Sequence, residues 1–167
     1  ADLRQGSVFH LSNRGAAHSA LGDGVHGLSN AGLDTPWPKV NALKARLAAA
    51  LQAHDELAGL EAALFGALAD RAEAPADALP ATGVPLDWEL ALSLAFVHAP
   101  ARGYGTRCST LVVAERVTQG LRTHVVERSF DAGAPAGERR VVLDDWPPQG
   151  EAQSARVMST CAMPASS

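Results

Sequence analysis

Val40, Leu43, Leu47 and Leu51 recur at intervals of three and four residues, and Leu57, Leu60, Leu64 and Leu68 repeat the pattern a few positions later. Such spacing lays one apolar stripe along each of two helices, and a stripe of that kind is stable only when it faces another apolar surface. The chain is therefore committed to a helix pair laid on a further layer. Three extended runs, at 108–115, 121–130 and 139–143, offer that layer. They are separated by Gln119-Gly120 and by residues 131–137, and consecutive strands joined by short turns pair antiparallel. The expected class is α+β.

The first helix is expected to be capped by Thr35 with Pro36 at its first position, and to break over residues 52–55. Asp55 would cap the second helix, which runs up to Ala69. Residues 72–85 are rich in Ala and Pro and read as a loop. In residues 88–97, Trp88, Leu90, Leu92, Leu94 and Phe96 alternate like a strand, whereas the composition favours a helix, which is the expectation adopted. Near the start, residues 6–12 form a β-rich run closed by Asn13-Arg14-Gly15, and residues 24–30 are a second extended candidate. One domain over residues 1–146 is expected, followed by a disordered tail over 147–167, which is polar, proline-bearing and without period.

A length of 167 residues suits a single core. Apolar residues make up 47% and aromatic residues only 5%, so alanine accounts for much of the apolar share and the core should be built from leucine and valine. The net charge is −4 with no dense run of Lys or Arg, which argues against nucleic acid and anionic lipid as partners. No stretch approaches the roughly 18 apolar residues of a membrane span. Cys108 and Cys161 have no CxxC partner and no nearby His pair, so neither a disulfide framework nor a metal site is expected, and a reducing, cytoplasmic setting fits. No initiator Met stands at position 1, and the expectation is that the numbering begins inside a longer chain.

No zinc-protease helix, phosphate loop, nucleophile elbow or dinucleotide fingerprint is present, and no cofactor is implied. His10, His18, His26, His54, His98 and His124 include no pair at i, i+4. Two segments are denser in polar and glycine residues than their surroundings require. In Gly27-Leu-Ser-Asn-Ala-Gly-Leu-Asp-Thr-Pro-Trp-Pro-Lys-Val40, Asn30 stands where an amide can donate to a bound oxyanion, although composition alone makes it a turn residue. In Tyr104-Gly-Thr-Arg-Cys-Ser-Thr110, Arg107 stands where a guanidinium can clamp a carboxylate, although an exposed structural arginine is the simpler reading. Trp37 and Trp88 read as packing residues.

The same two segments resemble signature stretches of the NRDE family, also called the transport and Golgi organisation protein 2 family. Phe9-His-Leu-Ser-Asn-Arg14, Leu79-Pro-Ala-Thr-Gly-Val-Pro85, Glu89-Leu-Ala-Leu-Ser93 and Val126-Glu-Arg-Ser-Phe-Asp131 stand in the same order, so the similarity runs from about Ser7 to Leu143. The resemblance implies part of an αββα sandwich similar to the N-terminal nucleophile hydrolases, in which the first residue of the mature chain supplies the nucleophile. Family members carry a Cys after the initiator Met and an Asn-Arg-Asp-Glu motif. This sequence has neither, so it reads as the C-terminal portion, with the N-terminal half of the same domain as its missing partner. A remoter similarity to choloylglycine-hydrolase-like enzymes gives Asn30 the role of oxyanion donor and Arg107 that of electrostatic support for an amide or acyl hydrolase, inactive in this portion. The rival expectation is a non-enzymatic carrier of a lipid-like ligand or haem, with His10 or His26 as candidate axial ligand.

Overall fold

The computed structural model describes residues 7–13, 19–118 and 120–144. The expected tail at 147–167, His18 and Cys161 lie outside these residues. Three helices and antiparallel sheets make the chain α+β, as the period of its sequence requires.

Two short strands, β1 (Val8–His10) and β2 (Ser19–Leu21), pair antiparallel near the start. β1 falls within the expected run, but residues 24–30 are a loop rather than a strand. The reason is local. The Gly27 N–H and C=O are both bonded to Asp34, so they have no ladder to join.

Helix α1 (Pro38–Ala53) starts two residues after the expected position. Trp37 precedes Pro38 and is extended at ψ 146°, the conformation that a following proline favours, so Pro38 rather than Pro36 occupies the first turn. Thr35 does not cap it, and its hydroxyl donates to the Gly32 carbonyl at 2.8 Å. Helix α2 (Leu57–Leu68) follows, with Glu56 and not Asp55 at the N-cap position. The two helices pack on each other. Of the first stripe Val40 is buried, whereas Leu51 is 53% exposed at the C-terminal turn of α1; the second stripe is half-buried, and its neighbour Phe65 is a buried core residue of α2.

Residues 72–85 form the expected loop apart from a single turn of 3-10 helix at Ala76–Ala78. The ambiguous stretch then divides. Helix α3 (Leu86–Ser93) takes its first part, and the chain turns extended from Leu94 into β3 (His98–Ala99). The expected helix is thus found over residues 88–93, and residues 94–97 belong to neither a helix nor a strand. β3 pairs with β4 (Tyr104–Gly105).

The main sheet has the order β5 (Cys108–Val117), β6 (Gly120–Asp131), β7 (Ala134–Asp144), all antiparallel. Its register places Leu111 opposite Val126 and Val126 opposite Arg140, with an irregularity between Ser129 and Phe130. The strands exceed the expected runs, because residues 131–137 hold a turn of only two residues. Ala132 (φ 47°) and Gly133 (φ 81°) both have positive φ, which gives a tight turn whose twist matches that of the strands.

α2 lies over β5. The Arg128 guanidinium sits 3.9 Å from the Phe65 ring centroid, and Arg140 Nη1 donates to Glu61 Oε2 at 2.8 Å, tying the helix to the sheet. The core forms where Phe65, Leu94, Phe96, Leu121 and Val126 are buried. Phe96 meets Phe130 edge-on at 4.8 Å.

Candidate functional site

A polar network lies in the loop before α1, and Asp34 is its hub. Asp34 has φ 54°, a left-handed conformation that a short polar side chain tolerates. This backbone turn aims the carboxylate at its own loop. Asp34 Oδ1 accepts from Gly27 N at 2.9 Å and from Lys44 Nζ on α1, while Oδ2 faces His26 Nδ1 at 2.7 Å. His26 Nε2 faces the Gly22 carbonyl at 3.1 Å. Both partners of the imidazole are acceptors, so satisfying both requires a proton on each ring nitrogen.

The titration of this group follows from its contacts. Lys44 first, then His26 and the Gly27 N–H, hold the Asp34 carboxyl far below the usual carboxylate range. The Asp34 hydrogen bond, and after it the Gly22 carbonyl, raise the His26 pKa. A raised histidine pKa contributes stability that is complete below the ordinary value of about 6.5 and is lost as pH climbs through the raised value. The lowered Asp34 value contributes above the ordinary carboxylate range and is lost only in strong acid. The clasp is therefore tightest between about pH 5 and pH 6.5. Each of the two side chains is 32% exposed, so water screens the pair and the effect is local. Amide hydrogen exchange across residues 22–34, corrected for intrinsic rate, should be slower at about pH 5.5 than at about pH 8.5. His26→Ala should abolish that difference, and equal protection at both pH values in the unaltered chain would show that the clasp does not titrate.

Gly27 lets the loop lie flat on α1. A Cβ at this position would stand 2.6 Å from Val40 Cγ1 and 3.1 Å from Lys44 Cδ. Docked in this way, the loop forms walls of two neighbouring clefts. One, of about 310 Å³, lies between His26–Ser29 and the α1 residues Lys39, Val40, Leu43, Lys44 and Leu47. The other, of about 420 Å³, has Asn30 and Ala31 on one side, Trp37–Lys39 at the start of α1, and Pro80, Thr82, Val84, Glu89 and Leu92 opposite.

Lys39 lines both clefts. Its ammonium donates to the Leu92 carbonyl at 2.8 Å, one of the carbonyls that the C-terminus of α3 leaves without a helical partner. Burial pushes its pKa below the ordinary lysine value. Across the larger cleft Glu89 is 7% exposed, and it accepts from Thr82 N at 2.7 Å and from the Thr82 hydroxyl. The carboxylate is thereby fixed and partnered.

Asn30 is exposed at the wall of the larger cleft. Arg107 is exposed as well, but it lines a different cleft of about 220 Å³ with His98, Tyr104 and Asp131, just ahead of β5. The chain does not bring the two into one site. His26 has both ring nitrogens engaged, so ligating a haem iron would require breaking one of those bonds. Among the described residues no three His, Cys, Asp or Glu side chains are grouped to hold a metal ion, and no helix is long and apolar enough to cross a membrane.

Sequence reasoning reached Asn30, Arg107 and, as a candidate haem ligand, His26, but missed Asp34, Lys39, Lys44 and Glu89. One signal was available. Lys44 is four residues from Val40 and three from Leu47, which sets a charge inside an apolar stripe. A lysine there needs a counter-ion from outside the helix, and Asp34 is that counter-ion.

A family model described as Transport and Golgi organisation 2 matches residues 1–132. No curated protein matches the chain.

Proposed function

Because the chain belongs to the Transport and Golgi organisation 2 family, matched over well over half its length, we propose that it binds a small, largely apolar molecule bearing an acyl or amide group in the cleft beside Asn30. The observation that carries this reading is the make-up of that cleft. It holds about 420 Å³, within the range of small-molecule sites, and has apolar walls from Trp37, Pro38, Pro80, Val84 and Leu92. A few polar groups, Asn30, Lys39, Thr82 and Glu89, are set among them. The Asn30 amide makes no hydrogen bond to the described residues, so both its N–H donors and its oxygen are available to an acyl or amide group.

Trp37 provides the readout. Titration with decanamide should change Trp37 fluorescence saturably, and Trp37→Phe should remove that component while leaving the signals of Trp88 and Trp146. Asn30→Ala should weaken binding by about three- to tenfold, the value of one neutral hydrogen bond. Absence of a saturable change across acyl amides of graded chain length would end this reading.

A second reading places the chain in a longer N-terminal nucleophile hydrolase with an αββα sandwich, in which Asn30 holds the oxyanion of an amide or acyl substrate. The unengaged Asn30 amide at the wall of an acyl-sized cleft favours it, whereas Arg107 lines a different cleft. Covalent labelling of an N-terminal Cys by a thiol-reactive acyl mimic, in a chain that carries one, distinguishes catalysis from binding alone.

A further inference from the structure

The smaller cleft differs from the Asn30 cleft in its charge. Its walls carry three groups able to be cationic, His26, Lys39 and Lys44, and no carboxylate. Asp34 lies behind that wall with both oxygens engaged, by Gly27 N and Lys44 on one side and by His26 on the other. With the imidazole doubly protonated, His26 and Lys44 share the single negative charge of Asp34. Lys39 adds a further cation, which lies 5.9 Å from the Trp37 ring centroid and whose only hydrogen bond among the described residues goes to the neutral Leu92 carbonyl, although an ammonium has three N–H donors. A partly buried cation without a counter-ion is unfavourable, and the usual remedy is an anion. The remaining wall is apolar, formed by Val40, Leu43 and Leu47 from one face of α1.

From this juxtaposition we propose that the cleft between residues 26–29 and α1 is a binding site for an organic anion, an apolar body with a carboxylate or phosphate head. The head lies against Lys39 and Lys44, and the body lies along Val40, Leu43 and Leu47. The volume of about 310 Å³ limits the enclosed part of the ligand to a short chain or a single ring system. This cleft shares Lys39 with the Asn30 cleft but not Glu89, which stands in the wall of the latter and would oppose an anionic head there.

The test uses the 167-residue chain with octanoate, octyl phosphate and octanol, followed by calorimetry and by amide chemical shifts. Both anions should bind at least about tenfold more tightly than octanol, the size of one charge-assisted contact. Shifts should concentrate at residues 26–29 and 39–47. Octanoate binding without octyl phosphate binding would assign the site to carboxylates, and the converse would assign it to phosphates. Lys39→Met, which keeps most of the length of the apolar stem and removes the charge, should cost about tenfold for the anions and little for octanol. Lys39→Arg should restore most of the loss. Equal affinity for octanol and the anions overturns the proposal, as does anion binding unaffected by Lys39→Met, or no anion binding at all. Decanamide binding at Trp37 in the same sample reports on the Asn30 cleft independently, so either site can fail alone.

Discussion

Replacing Phe96 by alanine should destabilise the protein by about 3–5 kcal/mol, a large part of the 5–15 kcal/mol that typically holds a domain folded. Phe96 is 2% exposed and packs edge-on against Phe130 of β6, with the Arg71 guanidinium 4.5 Å from its ring centroid. Its backbone N–H donates to the Asp70 carbonyl just after α2. One side chain thus joins the segment after α3 to the sheet, and one backbone bond joins the same segment to the helix pair. Neighbouring side chains are too fixed to fill the void, so the cavity adds to the lost burial. Urea unfolding should show the full loss for Phe96→Ala and a clearly smaller one for Phe96→Leu. A loss below about 1 kcal/mol for the alanine variant would mean that the core is centred elsewhere.

The second large effect is expected from a single added methyl. Gly27→Ala places a Cβ 2.6 Å from Val40 Cγ1, and Val40 is 5% exposed with a β-branched side chain that has little rotameric freedom. The loop must lift from α1 or the valine must move. Overpacking of this kind costs about 1–3 kcal/mol. The functional loss should exceed the loss in stability, because His26–Ser29 line the Lys44 cleft and Asn30 and Ala31, just beyond, line the Asn30 cleft. Binding of decanamide and of octanoate should therefore weaken together. Val40→Ala, itself mildly destabilising, should restore binding when combined with Gly27→Ala, and this non-additivity is the signature of direct contact. If Gly27→Ala binds both ligands normally, the loop is not held in the way described.

The helix pair and the main sheet were legible because each follows from a period that the sequence states locally. The stripe from Val40 to Leu51 and the runs at 108–115 and 121–130 needed no distant partner to be recognised. The boundaries were less legible. Thr35-Pro36 and Trp37-Pro38 both offer a helix start, and the choice depends on the Thr35 hydroxyl turning back to Gly32. Residues 88–97 carried two signals because the helix ends at Ser93 and residues 94–97 connect it to β3, so no single period describes the stretch.

The candidate site was legible only in part. Asn30 stood out through its polar, glycine-rich neighbourhood and does line a cleft. The Asp34 hub depends on pairings across eight and ten residues, to His26 and Lys44, that no short-range spacing announces. Glu89 sat in a helical stretch and gave no sign that Thr82 would enclose it. Arg107 likewise gave no sign that it would line a cleft apart from Asn30.

The two clefts proposed to bind ligands draw their walls from residues 26–47 and 80–95, and β5, β6 and β7 contribute nothing to either. Recognition and scaffold are thus carried by different stretches of chain. Substitutions that reshape a cleft leave the strand register untouched, and substitutions that tighten the sheet leave ligand preference alone. A chain divided in this way can change what it binds over evolutionary time by altering one loop and the helix faces beside it, with the stability of the sheet as a constant reserve.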